Sequence, residues 1–529
     1  MLYYVLQYVC ETLSLTSYID IFRLLSFFLL TSFAFWYITK KIIYNNALPP
    51  GPWGMPLLGY LPWMGQGAPH SWYLSLAEQY GDVFSVKLGS NLIVCIGSPK
   101  LLRILFNRMD SIGRPQTPLI NLMGGLGIVL SEGQLWRRQR HFLHEKFRAL
   151  GVKIWKNQRF EQFIIVMEEL LSELQLTNET PVDPVDILGR HLHNVICQLM
   201  MSYRFEKDDP AFKTFNQRVS KGMNLYGAVH IGEHLPYYLK LPGKMAVMEE
   251  IKVNLGDISK FHDDHVKRRI EKRSDFTRYH EPADLLDCYL EQIHQEKTGK
   301  AQETIFTGYE KHDPSCFSYF EGGQSIVQVM NDLFSAGMET SRNTLAWVLV
   351  FMLREPKVAA KVRAELAKVV DVNKLVTLEH RLKLPYLEAV IFETLRRSSV
   401  VPLGTTHVNA EPWHVNEYTI PANTHIVPLI IKINMDPELF PEPEKFMPER
   451  FLKGGALHLP DYFIPFGVGR RICLGEELAR MELFLFFANL MNNYDLELPE
   501  ECELPELEGI FGTTHSPLPY TLRFRKIHK

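Results

Sequence analysis

The chain has 529 residues, 46% hydrophobic and 22% charged, an ordinary globular composition able to bury a sizeable core. A net charge of −3 gives no whole-protein field that would recruit nucleic acid. Seven cysteines (Cys10, Cys95, Cys197, Cys288, Cys316, Cys473 and Cys502) lie scattered without Cys-x-x-Cys spacing, which argues against a disulfide framework or structural zinc site and favours a reducing compartment.

The stretch from Leu24 to Ile38 carries no charge, and Lys40 and Lys41 follow it. Extended back to Tyr18 it reaches the ~20 residues of a bilayer span. Asp20 and Arg23 then lie at the far interface, and Trp36 and Tyr37 at the near one. The positive-inside rule places the two lysines, and everything after them, in the cytosol. A cleaved signal peptide would carry its basic region before the apolar run, so residues 1–48 read as an uncleaved anchor and linker. Pro49-Pro50-Gly51-Pro52 reads as a stiff, helix-forbidding hinge into a body spanning 49–529.

From Trp53 to Ile96 the pattern predicts short strands and turns. Val83 to Leu88 alternates and Leu92 to Ile96 is a second apolar run, together a small antiparallel sheet. Long helical periodicities then dominate to about Arg397, interrupted by a Gly- and Pro-rich loop from Gly113 to Gly133. Trp136 and Arg140 share a helical face at i, i+4 and suit a pair of carboxylates such as haem propionates; a solvated basic face is the bland alternative. The polar stretch from Lys267 to Ser318 reads as exposed connection with some local helix and no chemistry.

Ile326 to Met352 predicts a long apolar helix holding Ala336-Gly337-Met338-Glu339-Thr340-Ser341 at its middle. A glycine there costs ~1 kcal/mol against alanine, and a buried acid costs more unless used or paired. One reading is a kinked core helix with Thr340 bonded back to its own backbone. The other is a local widening beside a cofactor, where Glu339 and Thr340 relay protons to dioxygen. Leu384 to Arg397 is a further helix in which Glu393 and Arg396 share a face, with Arg450 available to complete a structural trio. Beyond it, Val400 to His407 can pass a cofactor edge, with Val401 and Leu403 toward a substrate. His407 is either near a propionate or a satisfied loop histidine. Gly509 to Pro517 reads as a hairpin whose tip reaches the same pocket.

The most informative stretch runs from Phe463 to Ala479, with the spacing Phe466-x-x-Gly469-x-Arg471-x-Cys473-x-Gly475. Glycines permit positive φ and close approach to a flat ligand. A cysteine beside arginine and a helix N-terminus is expected to be held as the thiolate that ligates iron. A buried, inert cysteine is the alternative.

These signatures in this order resemble the cytochrome P450 superfamily over essentially the whole chain from Pro49 onward: the cysteine loop, Ala-Gly-x-Glu-Thr, Glu-x-x-Arg, Pro-Glu-Arg-Phe, Trp-x-x-x-Arg and the proline hinge. The anchor and hinge resemble the microsomal branch. Asp332 to Thr340, Arg396 to His407 and Asp461 to Ala488 resemble the arthropod ecdysteroid hydroxylases, both the 25-hydroxylase of hormone synthesis and the 26-hydroxylase of inactivation. The segment Thr513 to Pro519 leans toward the former. The resemblance implies a mainly α fold with a minor β domain and an N-terminal transmembrane anchor. It implies haem b ligated by Cys473, with Arg471, Trp136, Arg140 and His407 at the propionates and Phe466 and Gly467 against the cofactor. Thr340 and Glu339 would supply protons, and Phe334, Ala336, Val401, Leu403 and Phe511 would line the substrate pocket. Dioxygen is the co-substrate. Electrons would come from NADPH through NADPH–cytochrome P450 reductase, with cytochrome b5 as a second donor, docking against Arg137, Arg138, Lys146, Arg148 and Arg470. The implied activity is C-25 hydroxylation of an ecdysteroid at the endoplasmic reticulum membrane. The alternatives are C-26 hydroxylation or broad oxidation of lipophilic xenobiotics. A non-catalytic haem carrier would need no Glu339–Thr340 pair. One departure is Ser341, where many relatives carry a second threonine.

Overall fold

A computed structural model describes residues 22–23, 25–33, 35–36, 47–64, 69–122, 124–152, 160–272, 281–300, 304–305, 323–372 and 374–527. Its longer helices are α1 (Pro69–Tyr80), α2 (Pro99–Phe106), α3 (Gly133–Ala149), α4 (Phe160–Leu176), α5 (Pro184–Met201) and α6 (Pro210–Val229). They continue with α7 (Lys244–Lys272), α8 (Leu285–Lys297), α9 (Gly323–Arg354), α10 (Pro356–Val369), α11 (Pro385–Ser398) and α12 (Glu476–Asn493). Local chemistry sets several boundaries. Proline opens α2, α5, α10 and α11, where its missing N–H costs nothing. Asp183 caps α5 by accepting from the Val185 N–H at 2.8 Å, and α5 and α11 end on Ser202 and Ser399 in the left-handed region.

The central element is α9, thirty-two residues long. It packs against α5, α7, α11 and α12, and Phe334, Leu345, Trp347 and Leu349 on it are buried in the largest apolar cluster with Phe484 and Phe487 of α12. The helix runs unbroken through its glycine. A Cβ at Gly337 would lie 2.9 Å from Ile196 Cδ1, so the glycine lets α5 approach and does not mark a kink.

The β structure is small. β1 (Val83–Leu88) and β2 (Asn91–Ile96) form the expected antiparallel hairpin, in register from Val83 opposite Ile96 to Leu88 opposite Asn91. Two later strands extend it: β6 (His425–Pro428) parallel to β2, and β3 (His407–Val408) antiparallel to β6. The remaining strands pair as β4 (Trp413–Val415) with β5 (Tyr418–Ile420), β7 (Leu452–Lys453) with β8 (Ala456–Leu457), β9 (Tyr494–Glu497) with β12 (Arg523–Lys526), and β10 (Ile510–Phe511) with β11 (His515–Ser516). The mainly α architecture with minor sheets is therefore as the sequence implies.

Three expectations change. The stretch read as strands and turns contains α1, which buries Tyr73, Leu76 and Ala77 at i, i+3 and i+4. The polar stretch around 267–318 includes α8, which buries Leu285, Leu286, Tyr289 and Leu290. The proline hinge is docked and not free: Pro50 O accepts from the Ser85 N–H at 2.8 Å and Pro49 O from Ser85 Oγ at 2.7 Å. A Cβ at Gly51 would sit 1.7 Å from Ser85 O, so only glycine permits this approach. At the N-terminus, residues 22–23, 25–33 and 35–36 are helical, with Phe27, Phe28, Leu29, Leu30 and Phe33 exposed. No helix among the described residues is long and apolar enough to cross a membrane. The rest of the expected span, including 18–21, 24, 34 and 37–46, lies outside the described residues.

Candidate active site

The cysteine loop is built by its glycines. Gly467 (φ 77°) and Gly469 (φ 82°) occupy the left-handed region, and a Cβ at Gly469 would lie 2.3 Å from Phe106 O. The loop is pinned by Cys473 N–H to Phe466 O at 2.9 Å and Arg470 N–H to Phe106 O at 2.9 Å. α12 follows at Glu476. Cys473 is reachable by solvent, yet enough protein surrounds it that burial dominates its titration. Burial pushes the thiol up; the Gly475 N–H opposes this, Glu476 reinforces it, and Arg140 opposes it weakly. Burial here outweighs the Gly475 N–H and Arg140.

Beside the loop, three guanidiniums converge. Arg471 lies 4.5 Å above the Trp136 ring and Arg140 lies 5.7 Å from it. Arg471 donates from Nε to Ile112 O at 2.8 Å and through its terminal nitrogens to Val129 O and Ser131 O. Arg140 donates to Ile472 O at 2.5 Å. Arg114, which the sequence reading did not single out, donates to Val129 O (2.9 Å), Thr406 O (2.8 Å) and Thr405 Oγ1 (3.3 Å). These are neutral acceptors, and the site is short of negative charge. Burial, then Arg114, brings the Arg471 guanidinium down to about 7. Burial, then Arg140, brings Arg114 down to about 10. Glu132 is the acid that counters both, and it accepts from the Arg114 backbone N–H at 3.1 Å. The signal for Arg114 was present as the one basic residue of the Gly- and Pro-rich loop from Gly113 to Gly133.

His407 stacks on Phe106 with centroids 3.8 Å apart, and its Nδ1 donates to Ser111 O at 2.8 Å. Burial, then Arg114, holds it well below the usual histidine range. It is therefore neutral, with Nε2 an acceptor.

On α9, Ser335 and Ala336 are exposed although Phe334 and Met338 are buried. Thr340 Oγ1 donates back to Ala336 O at 2.8 Å. Glu339 turns elsewhere: its Oε1 accepts from Thr514 Oγ1 at 2.8 Å. Ser341 Oγ bonds the Glu482 carboxyl of α12 at 2.8 Å, so this hydroxyl is spent on helix packing.

The pocket residues do not all come together. Phe334 lies about 200° around α9 from Ala336. It is packed into the core against Phe215 (4.5 Å), His193 (5.0 Å) and His262 (5.3 Å), so its placement in the pocket is corrected. Val401 and Leu403 are half-buried at the margins of two different apolar clusters. Phe511 is stacked between His70 (3.4 Å) and His515 (3.7 Å). Glu393 and Arg396 are fully buried and bidentate at 2.7 and 2.8 Å, with Arg450 Nε 3.4 Å from the same carboxylate. Among the surface cations, Arg137 and Arg148 are exposed on α3, Arg138 donates to Thr304 O, Lys146 pairs with Glu145, and Arg470 donates to Asn107 O.

The donor set fits an iron macrocycle bearing two carboxylates. A reachable cysteine sulfur would ligate the iron, a glycine at 467 leaves open space where a side chain would project, and three arginines face a single acid, Glu132. Residues 49–524 match the family model described as Cytochrome P450. "Cytochrome P450 18a1" of Drosophila melanogaster is 42% identical over 479 residues, covering 89% of this chain and 86% of that protein. "Cytochrome P450 306a1" of the same fly is 33% identical over 517 residues (91% and 89%), and "Cytochrome P450 2U1" of Rattus norvegicus is 32% identical over 509 residues (91% of each). The chain therefore belongs to the cytochrome P450 family, and is with it a monooxygenase that uses haem b, dioxygen and NAD(P)H-derived electrons passed on by a reductase.

Proposed function

We propose that this enzyme hydroxylates the side chain of an ecdysteroid, with Cys473 as the axial haem ligand. The observation carrying the site assignment is the conjunction of a solvent-reachable Cys473 with a buried, anion-deficient arginine cluster built from Arg471, two positions before it, and Arg114 and Arg140. Haem bound there supplies the oxygen chemistry, to which an axial thiolate contributes by favouring O–O cleavage. Arg114, Arg140 and Arg471 hold the propionates, Trp136 carries two of those guanidiniums on its ring, and Phe466 and Gly467 shape the loop beneath. His407 packs Phe106 at that edge and, being neutral with Nε2 an acceptor, contributes shape more than charge. Thr340 holds a proton at Oγ1 and Glu339 replenishes it; Ala336 leaves room beside them. Val401, Leu403 and Phe511 present the apolar wall.

Residues 1–48 serve as anchor and linker and 49–529 as the catalytic unit. The exposed apolar side chains at 27–30 and 33 support a microsomal membrane location. An acidic reductase face meets Arg137 and Arg148 of α3 and the neighbouring cations, with cytochrome b5 as a further donor at the same surface. The lean toward C-25 rested on residues 513–519. Thr514 there bonds Glu339 and His515 is buried, so neither residue distinguishes C-25 from C-26. Broad oxidation of lipophiles is the second reading, favoured by the half-buried aliphatic wall at Val401 and Leu403. Incubation with a 25-deoxy ecdysteroid precursor and with ecdysone, plus NADPH and reductase, followed by mass spectrometry of the product, tests this. A hydroxyl at C-25 of the former or at C-26 of the latter is expected; turnover of neither steroid refutes the steroid assignment.

A further inference from the structure

Glu339 is held by the far end of the chain. Its Oε1 accepts from Thr514 Oγ1 at 2.8 Å, and Thr514 Oγ1 accepts from Asn343 Nδ2 at 3.1 Å. The polarity of this chain is determined: an amide N–H can only donate, so the threonine's own proton is left for the carboxylate. Asn343 is buried one turn along α9 from Glu339 and shares its face at i, i+4, which gives the relay a rigid origin. Thr514 stands at the tip between β10 and β11, where Gly512 N–H donates to Thr514 O at 2.9 Å. The base of the hairpin is anchored by His515 N–H to Val400 O at 2.8 Å and by Trp347 Nε1 to His515 O at 3.2 Å. The same hairpin carries Phe511, stacked on His515 and His70.

We propose that Thr514 is a positioning residue for Glu339: Asn343 and Thr514 set the carboxylate's orientation. This rests on the reading of Glu339 as the acid that replenishes Thr340. It places the orientation of that acid in the C-terminal hairpin as well as in α9. A hairpin contact that positions no acid would alter hydrogen exchange but leave product per NADPH unchanged.

The test uses the full chain loaded with haem, with reductase and lipid, and as probe whichever of the 25-deoxy precursor and ecdysone is turned over. Thr514→Val keeps the β-branch and removes the donor; product per NADPH should fall about five-fold, the effect of one lost hydrogen bond at a reacting group. Thr514→Ser should restore it. Glu339→Gln should uncouple turnover similarly, and Thr514→Val added to it should change nothing further. A readout independent of turnover is amide hydrogen exchange over residues 510–516. It should accelerate alike in Thr514→Val and Glu339→Ala, with no added effect in the double variant, and it applies even where no steroid is turned over. If Thr514→Val loses the thiolate-type Soret band with carbon monoxide, Thr514→Ala poses the same question with a smaller side chain. Unchanged coupling in the Thr514 variants beside an uncoupled Glu339→Gln overturns this proposal alone. Unchanged coupling in Glu339→Gln overturns the underlying reading, and this proposal with it.

Discussion

Cys473 shows how little a single residue settles by itself. Burial pushes its thiol up; as the proposed haem ligand it would be deprotonated by the metal itself, since a coordinating thiol loses its proton outright. The arginines beside it are the complementary half. Burying Arg114 and Arg471 against carbonyl oxygens is costly unless an anion arrives, and two carboxylates arriving there recover that cost. At the same scale, Thr340 is expected to matter through its hydroxyl alone, since its Oγ1 already has a backbone acceptor and holds α9 in shape. Thr340→Ala should cut product formation roughly ten-fold, short of the ~100-fold typical of losing a full general acid, because Glu339 remains. NADPH consumption should continue, with hydrogen peroxide released. Product and peroxide measured against NADPH oxidation check this; unchanged coupling removes Thr340 from proton delivery.

Between elements, α9 is tied on two sides by carboxyls that the sequence reading did not single out. Asp332 accepts from the Ile128 and Val129 N–H groups at 2.7 and 2.8 Å, clasping the loop that also receives Arg114 and Arg471. Glu482 joins α9 to α12 through Ser341, so one contact spans the elements on both sides of the site. Burial pushes Glu482 up to about 8 from the usual 4.5, against the hydrogen bond from Ser341, and pushes Asp332 up to about 6. A folded-state pKa above the unfolded one means the native protein binds the extra proton. The contribution of Glu482 is then complete below pH 4.5, declines as pH rises, and is gone above about 8. Glu482→Gln keeps the shape and cannot ionise. Its melting temperature relative to the parent should therefore rise steadily from pH 5 to 8 and then level off, while Asp332 affects both proteins equally. A pH-independent difference would mean that Glu482 does not titrate in this window.

Across the whole molecule, the scaffold under the cysteine loop depends on a buried ion pair. Arg396 is bidentate to Glu393 and donates to Asn434 O at 2.7 Å and Pro443 O at 2.8 Å; Met447 N–H donates to Glu393 at 2.8 Å. One charged pair thus fastens α11 to the segment leading into residues 463–475. Removing one partner strands a buried charge, at about 3–5 kcal/mol. Arg396→Met should lose about that much stability in chemical denaturation and retain less haem. A variant of parental stability and haem content would show the pair to be dispensable.

Much of this was legible beforehand where a residue type is demanded locally. The glycines at 467 and 469 need positive φ, the prolines open helices, the β1–β2 hairpin alternates, and Glu393 with Arg396 shares a helical face. Spacing along one element carries such information because backbone geometry fixes which side chains are neighbours. The contacts that joined distant segments were not legible. Thr514 meets Glu339 across 175 positions of sequence, Ser341 meets Glu482 across 141, and Arg114 meets Thr406 across 292. Phe334 and Ala336 are two positions apart yet face opposite ways, one into the core and one exposed. By itself the sequence determined the glycine-built cysteine loop, the family and the helical character of the body. Only the tertiary structure decided that Thr514 bonds Glu339 and that Arg114 joins Arg140 and Arg471, because those contacts depend on helices and hairpins packing at angles that no local pattern records.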